Sequence, residues 1–178
     1  HGTHELVYEL IESVVLDYIP FIVLLFGLFV VTGGIAIKGL IAGTTRNNVL
    51  LLLVGTLLSS WIGTTGSAML LIRPLLRANA WRKYKAHIFI FFIFLVANIG
   101  GCLTPLGDPP LFLGYLRGVP FFWTLQHIWP LLLLNTAVLC VVFALIDNHY
   151  VRKETAEGRS PADLLAPGEK AEKLHIEG

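Results

Sequence analysis

Between Ile19 and Asn148 the chain carries only two acidic residues, Asp108 and Asp147, against eight basic ones: Lys38, Arg46, Arg73, Arg77, Arg82, Lys83, Lys85 and Arg117. A folded domain in water must cover its surface with polar groups, and this stretch has too few of them. Over the whole chain 55% of residues are hydrophobic and 14% charged, with a mean hydropathy of +0.73. That balance excludes a disordered protein and argues against an ordinary soluble enzyme; it points to an integral membrane protein. A net charge of +1 carries no sign of a nucleic-acid partner. Cys102 and Cys140 lie in apolar runs without metal-ligand spacing and read as small hydrophobes.

The remaining charge is at the two ends. The first 18 residues hold Glu5, Glu9, Glu12 and Asp17 and no Lys or Arg, whereas residues 149–178 hold eleven charges of mixed sign. The chain begins with His1, and nothing at its front resembles a cleavable signal peptide, so a fragment of a longer protein is expected.

Residues 19–37 contain no charge and as a helix would reach roughly 28 Å, close to the hydrocarbon thickness. Residues 128–147 form a second such span. Ahead of them, Leu6, Val7, Leu10, Ile11, Val14 and Val15 recur at helical spacing, so 1–18 reads as an interfacial amphipathic helix or the end of a truncated span. Residues 49–72 are apolar at both ends but carry SSWIGTTGS in the middle. Residues 88–115 begin with ten apolar residues and then run NIGGCLTPLGDPP. Straightened into one helix, 88–115 would reach roughly 42 Å, too long for the bilayer, and Gly100, Gly101, Pro105, Gly107, Pro109 and Pro110 favour a break. The break is expected near Asn98, at mid-depth.

Basic residues orient the chain. If 49–72 is a re-entrant hairpin, loops 38–48 and 73–87 and the tail share one face with twelve Lys or Arg, leaving only Arg117 opposite. The positive-inside rule then puts those loops in the cytoplasm. Phe121, Phe122, Trp123 and Trp129 would mark the outer interface, Trp81 and Tyr84 the inner one. The fold class that follows is all-α: a polytopic membrane protein whose transport domain spans 19–148, followed by a cytoplasmic linker, 149–178.

Irregular backbone is tolerated at membrane depth only inside protein or beside a water-filled cavity. Two interruptions in one short chain are therefore expected to face each other. They offer Gly63, Thr64, Thr65 and Ser67 from one side and Asn98, Gly100, Gly101, Thr104 and Asp108 from the other. These are the oxygen donors a small hard cation prefers. Taken alone, GTTGS also suits close helix packing, and the Gly- and Pro-rich run also suits an extramembrane loop. Neither explains Asp108: a carboxylate at the bilayer centre costs on the order of 3 kcal/mol. Such a group can hold a proton or a metal cation but not both, which is the minimal mechanism of cation/proton exchange. Asp147, at a span's end, and His87 and His127, near the interfaces, read as solvated groups. No Ser/His/Asp arrangement, phosphate loop or metal-ligand cluster supports an enzyme or a bound cofactor.

Residues 55–79 (GTLLSSWIGTTGSAMLLIRPLLRAN) followed by 91–124 (FFIFLVANIGGCLTPLGDPPLFLGYLRGVPFFWT) resemble the NhaD-type sodium/proton antiporters. These belong to the ion transporter superfamily, which also holds citrate and dicarboxylate carriers. The resemblance implies one half of an inverted-repeat transporter, with Gly63, Thr64 and Thr65 at a hairpin tip and a broken helix through Asn98, Gly100, Gly101, Thr104 and Asp108. It implies export of sodium or lithium against proton entry across a bacterial inner membrane. It further implies two partners, a missing C-terminal half and a second copy in a homodimer. The carboxylate carriers have Ser-Asn-Thr at the tip and tend to have a neutral residue where Asp108 stands, so both positions depart from them. The alternatives are a citrate or dicarboxylate carrier and a non-transporting scaffold. KLHIEG (173–178) looks like the approach to the second half, and no second GTT-like or GDPP-like segment is present.

Overall fold

The computed structural model describes residues 2–33, 36–38, 42–161 and 175–177. Most of the linker between Ala162 and Leu174 lies outside the described residues, as do positions 34–35 of the first span. The described chain is helical apart from a three-residue antiparallel pairing of β1 (Ala36–Lys38) with β2 (His175–Glu177).

The first helix does not divide where the charge pattern divides. α1 (Thr3–Glu12), a π-helical turn (Ser13–Tyr18) and α2 (Ile19–Gly33) run on with helical backbone at both junctions. Apolar residues continue across Asp17, and Pro20, which has no amide to donate back into the helix, is accommodated just after the π-helical turn. The result contains a 25-residue apolar helix, His4–Leu28, long enough to cross a membrane. Two other helical stretches qualify, Ala86–Leu103 and Trp123–Ala156.

α3 (Thr45–Ile62) begins at Thr44, whose extended backbone and hydroxyl cap the amide of Asn47. It ends at Gly63, where φ is +82° and ψ 151°, a conformation open to glycine alone. α4 (Thr64–Ala78) starts on the next residue and packs back along α3. The open end of this pair is closed by a reciprocal amide bridge: Asn48 donates to Asn79 Oδ1 at 2.9 Å and Asn79 to Asn48 Oδ1 at 2.8 Å, both side chains fully buried.

α5 (Ala86–Phe92) continues past Asn98, first as a π-helical turn (Ile93–Asn98) and then as 3-10 helix (Ile99–Leu103). The backbone leaves helical geometry at Asn98 (φ −122°, ψ −80°), the point expected for the break; 3-10 winding follows to Leu103, and Thr104, six residues beyond Asn98, is extended. Gly100 and Gly101 permit this tightening, and the real stop comes from Pro105 and the Pro109-Pro110 pair. α6 (Pro109–Leu116) resumes at the prolines, whose missing amides cost nothing in a first turn. α7 (Trp123–Ala156) runs well beyond the 128–147 span and takes in the first part of the expected linker.

The core lies between α3, α4, the α5 stretch and α7. Leu52, Leu71, Leu75, Ile88, Phe91, Phe92, Leu95, Val96 and Phe143 form one buried cluster. α3 presents small residues, Gly55, Thr56, Ser59 and Ser60, to the segment 96–101. A side chain at Gly55 would drive into Val96 and Leu71. Close backbone approach of this kind substitutes for a thick hydrophobic layer between membrane helices.

Candidate functional site

The tip of the α3–α4 pair meets the 104–108 break. The Thr64 amide donates to the Gly107 carbonyl at 3.3 Å. A Cβ on Gly101 would lie 2.6 Å from the Gly107 oxygen and 2.7 Å from Thr64 Cγ2, so the two interruptions touch backbone to backbone. The Thr104 hydroxyl donates to the Ser60 carbonyl and accepts from the Leu106 amide at 3.3 Å. The Ser60 hydroxyl donates to the Gly100 carbonyl, and Ser59 to Val96 O at 2.7 Å. These bonds take up carbonyls that the irregular winding leaves without helical partners.

A cavity of about 70 Å3 opens at this junction. Its polar wall is Gly63–Gly66 with Pro105–Gly107, and its apolar wall is Phe21, Leu24, Leu25 and Leu28 of α2. The volume is roughly that of two water molecules at about 30 Å3 each. It has room for a small cation or for a carboxylate group.

The expected site residues divide by position. Gly63, Thr64 and Thr65 line the cavity. Gly100, Gly101 and Thr104 lie buried behind it and hold the break together. Ser67 is fully buried but turned into the α3–α4 contact, where its hydroxyl donates to Gly55 O at 3.0 Å. Asn98 is exposed, with its amide folded back onto the Ile93 carbonyl at 3.1 Å, and the structure does not bring it to the cavity. The backbone turns at Asn98 itself, between the π-helical and 3-10 segments, and leaves the side chain on the exposed face.

Asp108 stands between two cavity-lining residues, Gly107 and Pro109, but does not itself line the cavity. Its backbone is extended (φ −142°, ψ 130°), and in extended chain a side chain points opposite to its neighbours. Its carbonyl accepts the amides of Leu111 and Phe112 at 3.1 and 3.2 Å, while its carboxylate caps no amide. It is half-buried at the N-terminus of α6.

α4 points its N-terminus at the cavity. The Thr65 and Gly66 amides, one turn before any carbonyl of their own helix, face that opening. The tip therefore carries positive dipole character next to a region that also holds Asp108.

A second polar cluster lies at the opposite end of the α3–α4 pair and has no counterpart in the sequence reading. Arg82 Nη1 meets Asp147 Oδ1 at 2.5 Å and Arg82 Nε meets Glu154 Oε2 at 2.8 Å, with all three side chains excluded from solvent. His87 Nε2 reaches the same Asp147 oxygen at 2.7 Å. The amides of Lys83 and Tyr84 both donate to Glu154 Oε1 at 2.7 Å. Asp147 and His87 are thus paired and enclosed, not solvated, and Trp81 is buried instead of marking an interface. The partners are 60 to 72 positions apart, so no local pattern announces them.

Among the described residues, three apolar helices of membrane-crossing length and two interruptions packed on one another define an all-helical membrane protein with a broken-helix site. Such breaks are the architecture of secondary transporters. The family model described as "Putative citrate transport" matches residues 1–178, and the chain belongs to that family, within the ion transporter superfamily. No curated protein and no solved structure matches the chain.

Proposed function

We propose that the chain is part of a cation- or proton-coupled carrier of citrate or a related polycarboxylate, located in a cell membrane. The observation that carries this reading is the α4 N-terminus, whose first residues Thr64, Thr65 and Gly66 line a cavity with room for a carboxylate group. Half-helix N-termini are where secondary transporters take anionic groups. Asp108 supplies the coupling. A fixed carboxylate repels an anionic substrate at close range, and the repulsion is lifted when a proton or metal cation sits on it. Substrate and cation then enter together, each lowering the cost of the other. The family match supports citrate as the substrate class.

A second reading, sodium or lithium exchange against protons, is favoured by the same Asp108. Its carboxylate caps no amide, and Gly63, Thr64 and Thr65 line the same cavity as Gly107 and Pro109, the residues on either side of it. Here the cavity would take the bare cation. Transport in proteoliposomes decides between them. Uptake of radiolabelled citrate driven by an imposed proton or sodium gradient is the expected result. Exchange of radiolabelled sodium against protons, unaffected by citrate and with no citrate uptake, would establish the antiporter instead.

A further inference from the structure

We propose that the buried Arg82–Asp147–His87–Glu154 cluster is a proton-operated latch that fastens the segment following the α3–α4 pair to α7. With a neutral imidazole the cluster sets two carboxylates, Asp147 and Glu154, against one guanidinium, a net charge of −1 in a region closed to solvent. One proton on His87 brings the sum to zero. Uncompensated charge is costly where water is excluded, and imidazole is the side chain whose charge changes in the physiological pH range.

The surroundings bear on the charge count. From α7, the His87 ring stacks on Tyr150 at 5.0 Å and contacts Phe143 at 5.9 Å, with His149 edge-on to Tyr150. From the preceding segment, Tyr84 stacks on Tyr150, and the ammonium groups of Lys83 and Lys153 sit over the Tyr84 ring at 5.3 and 4.7 Å. Thr45, at the start of α3, lies beside Asp147. Lys83 is half exposed and pairs with Glu157 at 3.9 Å, and Lys153 is exposed, so neither lysine offsets the buried acids. His87 is the group that can.

The mechanical consequence follows from where the bonds run. Glu154 holds the Lys83 and Tyr84 amides, Arg82 spans Asp147 and Glu154, and Asn79, three residues before Arg82, closes the α3–α4 pair. Protonation of His87 tightens one continuous connection from the base of that pair to α7; deprotonation loosens it. The latch is therefore expected to hold more tightly in acid than in alkaline solution.

The test needs no transport measurement and stands apart from the proposed substrate. Thermal unfolding of the detergent-solubilised protein is followed between pH 5.5 and 8.5. The midpoint is expected to fall by about 2–4 °C across that range. His87→Gln, which keeps a donor to Asp147 but cannot take the proton, is expected to flatten the profile at the high-pH level. Asp147→Asn leaves one acid facing one guanidinium and is expected to flatten it as well. Should His87→Gln not fold, the Asp147→Asn profile decides alone. A pH-dependent midpoint that persists in whichever variant folds assigns the titration to another group and overturns the latch. The exposed histidines 127 and 149 are then the next to be replaced.

Discussion

At the residue scale, the site separates positions that must have a given backbone from one that must have a given charge. Gly63 belongs to the first kind. Its φ of +82° with ψ 151° is closed to side-chain-bearing residues, and a Cβ there would sit 3.4 Å from the Leu106 carbonyl. Gly63→Ala is expected to cost about 1–3 kcal/mol, read as a lower thermal midpoint and a less compact tip by hydrogen exchange at Thr64–Ser67. Asp108 belongs to the second kind. Its carboxylate caps no amide, so Asp108→Asn should leave the midpoint within about 0.5 kcal/mol of the parent. Gradient-driven transport by the same variant should fall at least about tenfold, a loss of about 1.4 kcal/mol in the coupled step. Undiminished transport by a well-folded Asp108→Asn protein would remove Asp108 from the mechanism. Both residues were visible in the sequence for physical reasons: a glycine between two apolar runs, and a lone acid in an apolar body.

At the element scale, the break is held by hydroxyls that the sequence presents as ligands. Thr104 is saturated, donating to Ser60 O and accepting from Leu106 N, and it is fully buried. Thr104→Val keeps the shape and leaves both partners without a bond, so it should destabilise by about 1–3 kcal/mol. Ser60→Ala loosens the same turn through Gly100. The double variant should lose less than the sum, because both bonds fix one loop; thermal unfolding of the four proteins measures the difference. Residue types showed that 49–72 and 88–115 could not be plain helices, since Gly, Pro and hydroxyl residues interrupt an apolar run. They did not show which hydroxyls would point at a cavity and which would satisfy stranded carbonyls. That depends on helical phase, and the π and 3-10 turns between Ile93 and Leu103 shift the phase in a way no 3.6-residue period follows. Asn98 was misplaced for this reason. The Arg82 cluster was illegible for another: its members are brought together only by the packing of α7 against the hairpin base.

At the scale of the whole molecule, the two ends carry different chemistry. Because α3 and α4 fold back on one another, Arg46 at the start of one and Arg77 near the end of the other lie at the same end. α5 sets out from that end with Arg82, Lys83 and Lys85 just before it. The buried ion pairs to Asp147 and Glu154 bring the last turns of α7, with Arg152 and Lys153, there too. The other end has Arg117, paired at 2.7 Å with Asp17, and the exposed aromatics Phe122, Trp123 and Trp129. Between them α2 and α7 turn large apolar side chains outward, among them Phe26, Leu133 and Leu145, each more than half exposed and suited to lipid. Positive charge is retained on the cytoplasmic side, so the hairpin base should face the cytoplasm and the Arg117 end the outside. Single cysteines placed at Arg46, Lys85 or Gly118, in a background with Cys102 and Cys140 replaced by Ala, test this with a membrane-impermeant thiol reagent on intact cells. Labelling at 118, with 46 and 85 reached only after the cells are opened, is the expected pattern. Labelling of 46 and 85 on opposite sides would mean that 49–72 crosses the membrane once, as a single span. α3 and α4 would then not fold back on each other at Gly63, and the cavity that their tip walls, on which coupled transport depends here, would not form.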